Sequence, residues 1–362
     1  MTVVQSRVEP TVGAVIVNYN GGDRIIRVVA ALLDQDYALT AIVVVDNDSM
    51  DGSPARIRAA FPAVQMIELG ANTGLSNARN VGLRSLETTF AFIVDHDIYA
   101  DKHCVGRMVR TCLSTQATVV CPRIRLIPER QIIQVEGAAP HFVGTLILRH
   151  GHHRVADTPA IAEAVDGCTG GCMLVNRRLV IDAGGFDDLF FFYFEDLEFS
   201  LRLRGMGHHF WCEPTAEVFH EPAAGTPGLS YRGKGRYPGQ RAYFTLRNRL
   251  LTILIHYRWR TLIVLLPALA LYEAASLVVV TRKGWPGQWL RAWWWTLANL
   301  GTIRARRRMI HGRRTVPDKD LLRGGVPPLA PGFLTSRLEH RLLYWFSATL
   351  NGYWTLTRRW IA

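Results

Sequence analysis

The chain is 362 residues long, 49% hydrophobic and 20% charged, with a formal net charge of +12. This excludes disordered and collagen-like classes and leaves room for one large domain or two smaller ones. The charge is uneven: residues 1–225 carry 19 Lys+Arg against 26 Asp+Glu, and residues 226–362 carry 23 against 4, together with nine of the ten tryptophans.

An acidic globular part is therefore joined to a basic, Trp-rich one, whose composition suits a membrane surface or a nucleic acid. The amino terminus, MTVVQSRVEP, has no apolar run between a charged start and a small-residue cleavage site, so the acidic part is expected in the cytosol. Six cysteines are too few for a disulfide scaffold. Cys168 and Cys172, in GCTGGC, read as parts of a small-residue turn rather than metal ligands.

Four short apolar runs, Val12–Val17, Ala41–Val45, Val64–Leu69 and Phe90–Val94, alternate with stretches of helical pattern. This is the rhythm of a parallel sheet with helices on its faces, where chemistry sits at the carboxyl ends of the strands. The first run ends in Asn18-Tyr19-Asn20 and then Gly21-Gly22-Asp23, with Asp23 suited to cap a helix. The second ends in DNDSMDGS, residues 46–53, whose acids and hydroxyls exceed the needs of a turn. An acid fixed there can accept a hydrogen bond from a base imide or a ribose hydroxyl.

The third run leads into Ala71–Gly82, where Gly74 and Gly82 permit close backbone approach and Arg79 supplies a cation beside a helix start, a combination suited to a diphosphate. The fourth runs directly into Asp95-His96-Asp97. Two carboxylates on one side of a strand end repel each other, and a divalent cation, Mg²⁺ or Mn²⁺, bridging to nucleotide phosphates relieves that repulsion. Further on, the aromatic run Phe190–Phe194 enters Glu195-Asp196-Leu197-Glu198, which reads as a buried segment opening a short amphipathic helix. Acids in that position serve either the helix dipole or general-base chemistry, and the residues alone leave both open.

Residues 226–250 read as a basic Gly-rich loop and a connecting helix. The loop either closes over a donor diphosphate with Arg232, Lys234 or Arg236 or is only a linker. Residues 251–362 read as a helical, membrane-associated region. The apolar stretch 261–280 is long enough to cross a bilayer, but Pro267 and Glu273 interrupt it and basic residues flank both ends. A segment lying in the cytosolic interface is therefore expected in preference to a span. Trp289, Trp293 and Leu297 fall on one helical face near Arg304, Arg306, Arg307 and Arg308. Leu342, Tyr344, Trp345, Trp354 and Trp360 recur among Arg337, Arg341, Arg358 and Arg359. Such faces suit anionic lipid; the alternative is a Trp face buried against the catalytic core.

Taken together, VIVNYNGG, VVVDNDSMDGS, NTGLSNARNVG, IVDHD, GGCMLVNRR, GGFDDLFFFYFEDLEFSLRLRGMG and AEVFH resemble the inverting glycosyltransferases of family 2, near their bacterial rhamnosyl- and galactofuranosyl-transferases, over roughly residues 10–250. The resemblance implies an α/β GT-A fold, a Rossmann-like mixed sheet with helices on both faces, in a catalytic domain spanning residues 1–225. It also implies transfer of a sugar from a UDP- or dTDP-sugar to a lipid-linked or polysaccharide acceptor in cell-envelope glycan synthesis, at the cytoplasmic face of the membrane. By that likeness Asp46 holds the base, and Asn18, Asn20, Asp48, Ser49, Gly74, Arg79, Asn80 and Asp95 line the nucleotide-sugar site. Asp95 and Asp97 form the DxD element, with Asp97 the more direct metal ligand and His220 completing the set. Asp196, paired with Glu195, becomes the base of a single displacement.

Tyr243, Arg247 and Asn248, in RAYFTLRNR, match a run beyond the catalytic domain of bacterial members, which makes Arg247 a further candidate contact to diphosphate or acceptor. His96, between the two acids, departs from the family pattern. A sugar-nucleotide nucleotidyltransferase is disfavoured because NYNGGD carries no cation before Arg24. A non-catalytic nucleotide-sugar binder is disfavoured by the complete set of acids. Nucleic-acid binding is disfavoured because Trp-rich apolar faces fit lipid better.

Overall fold

The computed structural model describes residues 9–221, 239–326 and 336–361. Its centre is built from β1 (Val12–Asn18), α1 (Gly22–Leu33), β2 (Leu39–Asp46), α2 (Ser53–Ala60), β3 (Gln65–Glu68), α3 (Leu75–Ser85) and β4 (Phe90–Asp95). β1 is buried along its whole length, which is why its sequence is a continuous apolar run rather than an alternating one. Its residues divide between two cores: Val12, Ala14 and Ile16 pack with α1, and Val15 and Val17 pack with α3. Ile25, Val28, Val29 and Leu32 form the stripe by which α1 covers the sheet.

The rest of the domain comprises β5 (Ile98–Ala100), α4 (Cys104–Thr115), β6 (Val119–Leu126), β7 (Ile133–Val135), β8 (Ala138–His141), β9 (Thr145–Leu148), β10 (Glu163–Val165), β11 (Cys172–Asn176), α5 (Arg177–Asp182), α6 (Glu195–Gly205) and β12 (Phe210–His220). Ten strands form one mixed sheet in the order β10-β12-β6-β11-β4-β1-β2-β3, with β5 on β12 and β7 on β6; β8 and β9 form a separate hairpin. β4, β1, β2 and β3 are parallel, and β11 runs antiparallel to β4 and β6. The strand order reverses between β1 and β4, so their carboxyl ends open a crevice. Register sets Asn18 beside Asp46 and Val17 beside Asp95 at its floor.

α6 is not the amphipathic helix its leucines suggest. It is buried on nearly all sides, because α7 (Gly239–His256) covers the face the sheet leaves free. Beyond it follow α8 (Trp259–Arg282), α9 (Pro286–Ala298), α10 (Leu300–Arg313), α11 (Asp318–Leu321) and α12 (Arg337–Thr357). The compositional break near Gly225 is not a break in packing. One apolar cluster joins Phe142, Leu197 and Leu201 to Ile253, Leu265 and Trp354.

α8 is one helix, 24 residues long and apolar enough to cross a membrane, with Pro267 inside it. Its outer face shows Trp259, Ile263, Leu266 and Val278 to solvent. Glu273 faces inward and meets Arg249 Nη1 at 2.7 Å and the indole N–H groups of Trp289 and Trp293 at 2.7 and 3.0 Å. Trp289 and Trp293 therefore turn inward, contrary to the expected lipid face, and α9 instead exposes Leu290, Trp294 and Leu297. Trp354 is likewise buried, stacked on Phe142 at 4.9 Å. Replacing Glu273 by Leu leaves the buried Arg249 without its counter-charge, a loss of about 3–5 kcal/mol. The expected result is a melting temperature lower by several degrees, read by calorimetry, with Glu273→Gln falling less.

Candidate active site

At the end of β1, Asn18 is fully buried, and its side-chain amide donates to Asp46 (2.7 Å), Ser49 (3.1 Å) and Ser53 (2.8 Å). It ties the two loops together rather than facing a ligand. The second oxygen of Asp46 accepts the Ser49 N–H at 3.0 Å. Ser49 Oγ in turn receives the Asn20 N–H at 2.9 Å, and Asn20 Oδ1 receives the Met50 N–H at 2.8 Å. Asp48 is exposed and adopts positive φ at the lip of this cluster.

A neighbouring bracket escaped the sequence reading. Asn47 bonds Asn72 at 3.0 Å and the Thr73 N–H at 2.9 Å, which fixes the loop entering α3. Gly74, in that loop, has φ +88°, and an added Cβ would lie 2.6 Å from the Phe191 ring. Glycine is needed there so that α3 can approach the aromatic run.

Arg79 is also not where its sequence context put it. It is 1% exposed and bonds Asp95 at 2.8 Å, Glu195 at 3.1 Å and the Gly170 carbonyl at 2.7 Å. The acids converging from β4 and α6, half-buried Asp95 and buried Glu195, need a cation, and the buried Arg79 supplies it and is committed to them. Asn80 is turned to the Phe186 backbone and the Asp188 carboxylate, which assigns it to holding that turn.

Asp196 accepts the Gly170 N–H at 3.1 Å and the Leu197 N–H at 2.8 Å. Gly170 thus stitches Arg79 to Asp196, a role legible only as the GG of GGCMLVNRR. Burial raises the Asp196 carboxyl above the usual range, against those two N–H groups and Arg79. Glu195 is raised by burial and by Asp196, against the pull of Arg79, and its Oε2 is buried without a hydrogen-bond partner among the described residues.

On the other side of the crevice, His220 Nε2 lies 3.3 Å from Asp97 Oδ2, and its Nδ1 meets Gln134 Oε1 at 2.6 Å. Gln134 sits between the buried Ile133 and Val135 of β7, and a period of two would have marked it as facing the other way. Burial raises and the His220 bond lowers Asp97, which ends below the usual carboxylate range; burial holds Asp95 above it, against Arg79.

Among the described residues no group of three His, Cys, Asp or Glu side chains is placed to hold a metal ion. Asp97 and His220 do converge, and Asp95 leaves the same strand end. Two carboxylates and an imidazole are donor types that Mg²⁺ and Mn²⁺ accept.

Phe191, Tyr193 and Phe194 all have positive φ, 57°, 65° and 65°, just before Asp196. Asn248 holds that strained run: its amide donates to the carbonyls of Phe190, Phe192 and Tyr193 at 2.8, 2.9 and 2.6 Å. Arg247 does not reach outward as expected. It donates to the Leu189 and Phe190 carbonyls and to Asn248 Oδ1, between the rings of Phe244 and Trp295. Arg232 and Lys234 lie outside the described residues.

Residues 14–183 match the family described as Glycosyl transferase family 2. The chain is 25% identical over 257 residues to the low-salt glycan biosynthesis hexosyltransferase Agl10 of Haloferax volcanii, covering 68% of this chain and 77% of that one. It is 25% identical over 240 residues to the N-acetylglucosaminyl-diphospho-decaprenol L-rhamnosyltransferase of Mycobacterium tuberculosis, covering 59% and 76%. Its fold is similar to the crystal structure of GalNAc-T7 with UDP, GalNAc and Mn²⁺, with a TM-score of 0.55 at 16% identity. That match covers 69% of this chain and 48% of GalNAc-T7.

Proposed function

We propose that the chain is a glycosyltransferase of family 2 that transfers a sugar with inversion from a UDP- or dTDP-sugar to a lipid-linked or polysaccharide acceptor in cell-envelope glycan synthesis. One observation carries the mechanism: Asp95, Arg79, Glu195 and Asp196 form a continuous hydrogen-bonded and ionic chain that fixes a candidate base to the strand end bearing the DxD acids. Asp46 and the Asn47–Asn72 bracket shape the base end of the donor crevice. Asp97 and His220, with Asp95, would hold Mg²⁺ or Mn²⁺, which when bound neutralises the diphosphate and eases departure of the nucleotide. Asp196 takes the proton of the acceptor hydroxyl, and its raised proton affinity makes it a better base than a solvated carboxylate. Attack from the face opposite the nucleotide inverts the anomeric carbon in one displacement, so no covalent nucleophile is needed.

The exposed Ile263, Leu266, Leu290, Trp294, Leu342 and Trp345, with Arg304, Arg308, Arg337 and Arg341 also exposed, support docking on an anionic membrane at its cytoplasmic face. Because Glu273 is clamped by α7 and α9, α8 is held against the protein, which favours lying in the interface over spanning.

A panel of UDP-, dTDP- and GDP-sugars, read by thermal shift and by hydrolysis, tests the reading. A UDP- or dTDP-sugar should raise the melting temperature, and turnover should stop on chelation and return with Mn²⁺. A flat panel, or turnover that survives thorough chelation, counts against it.

A further inference from the structure

Behind the aromatic run lies a recess that the reaction as described leaves unused. The first turns of α7 and α9 enclose a half-open cavity of about 280 Å³, lined by Gln240, Tyr243, Phe244, Gln288 and Arg291. Its floor is aromatic: Tyr243 lies beside Phe244, and Phe244 stacks on Phe191 with centroids 5.2 Å apart and planes 12° apart. Phe191 belongs to the run that ends at Asp196, and its carbonyl receives the Leu75 N–H at the start of α3. Phe191 therefore links the wall of the recess to the segment that leads into the helix of Asp196.

The polar groups of the recess suit a particular ligand. Arg291 lies over the Tyr243 ring at 4.3 Å and has no carboxylate partner among the described residues, so its planar fork is available to phosphate oxygens. Gln288 Oε1 is buried without a hydrogen-bond partner among the described residues, which suits a ligand hydroxyl as donor. Next to Arg291 on α9, Leu290, Trp294 and Leu297 form an exposed apolar face, with Trp294 74% exposed. An amide-and-aromatic surface, a guanidinium and an adjoining apolar strip follow one another, in the order sugar, diphosphate and lipid of a lipid-linked glycosyl diphosphate.

We propose that this recess binds the head of the acceptor, a sugar diphosphate on a polyprenyl-type lipid. The diphosphate rests on Arg291, the sugar lies against Tyr243, Phe244 and Gln288, and the lipid runs along Leu290, Trp294 and Leu297. The proposal rests on the transferase reading above and names the acceptor class for that site.

The test uses the full chain in neutral detergent micelles with undecaprenyl diphosphate and undecaprenol as probes. Wild-type protein should bind the diphosphate at least about tenfold more tightly than the alcohol. Arg291→Ala should erase most of that difference, and Arg291→Glu all of it, while nucleotide-sugar hydrolysis stays within about twofold of wild type. Equal binding of alcohol and diphosphate, or unchanged diphosphate binding in both variants, overturns the assignment of the recess. If instead no nucleotide sugar binds the wild-type protein, the transferase reading has failed and not only its acceptor class.

Discussion

Replacing Asp196 by Asn lowers kcat by about 10²–10⁴, the usual contribution of a positioned general base, while the donor KM changes little. The reasoning is geometric before it is electrostatic. Glu195 is buried and bound to Arg79, whereas Asp196 is only partly buried and is steadied by the Gly170 and Leu197 N–H groups. Asparagine keeps the shape and removes the proton acceptor. Glu195→Gln, which weakens the ion pair with Arg79 but leaves the base, should cost less in kcat and more in stability. The pH profile supplies a second check. Burial raises the proton affinity of Asp196, and the base acts only when deprotonated, so kcat rises with pH through that raised pKa and levels off above it. The variant should lose this limb. An Asp196→Asn protein with wild-type kcat and an unchanged acid limb would show that the base lies elsewhere.

The features that were legible in the sequence are those whose physics is local. The strand ends announced themselves because Asn18, Asp46 and Asp95 each follow a continuous buried run, and a polar residue at that boundary has few other uses. The two acids of Asp95-His96-Asp97 imply a counter-charge from their spacing alone. What could not be read was where each counter-charge comes from. Arg79 looked free because Glu195, its partner, stands 116 positions away. The inward turn of Trp289 and Trp293 depends on Glu273, which lies on the preceding helix and reads in isolation as an obstacle to membrane insertion. Helical periodicity assigned those two rings to one face correctly but had no means of saying that the face points inward.

Sequence separation also hid the role of Asn248, whose replacement carries the second large expected effect. Three carbonyl acceptors, those of Phe190, Phe192 and Tyr193, converge on its amide, and its oxygen is occupied by Arg247. The segment it holds includes Phe191, Tyr193 and Phe194 at positive φ, each costing on the order of 1–3 kcal/mol for a residue with a side chain. Without the clamp the run relaxes, and Asp196, the second residue of the helix it opens, shifts with it. Asn248→Asp keeps volume and burial but sets an acceptor against three carbonyls. A displacement of about 1 Å at a reacting group costs roughly 10²-fold in rate, so kcat should fall by about that factor. The donor site should be spared, because Asp46, Asp97 and His220 stand on strand ends that Asn248 does not touch. Steady-state kinetics with donor and acceptor varied separately, beside the thermal shift given by UDP and Mn²⁺, resolve the two effects. A fall in kcat with the UDP shift intact identifies Asn248 as the residue that positions the base. Equal loss of both, or of neither, would assign it to general stability or to nothing the reaction uses.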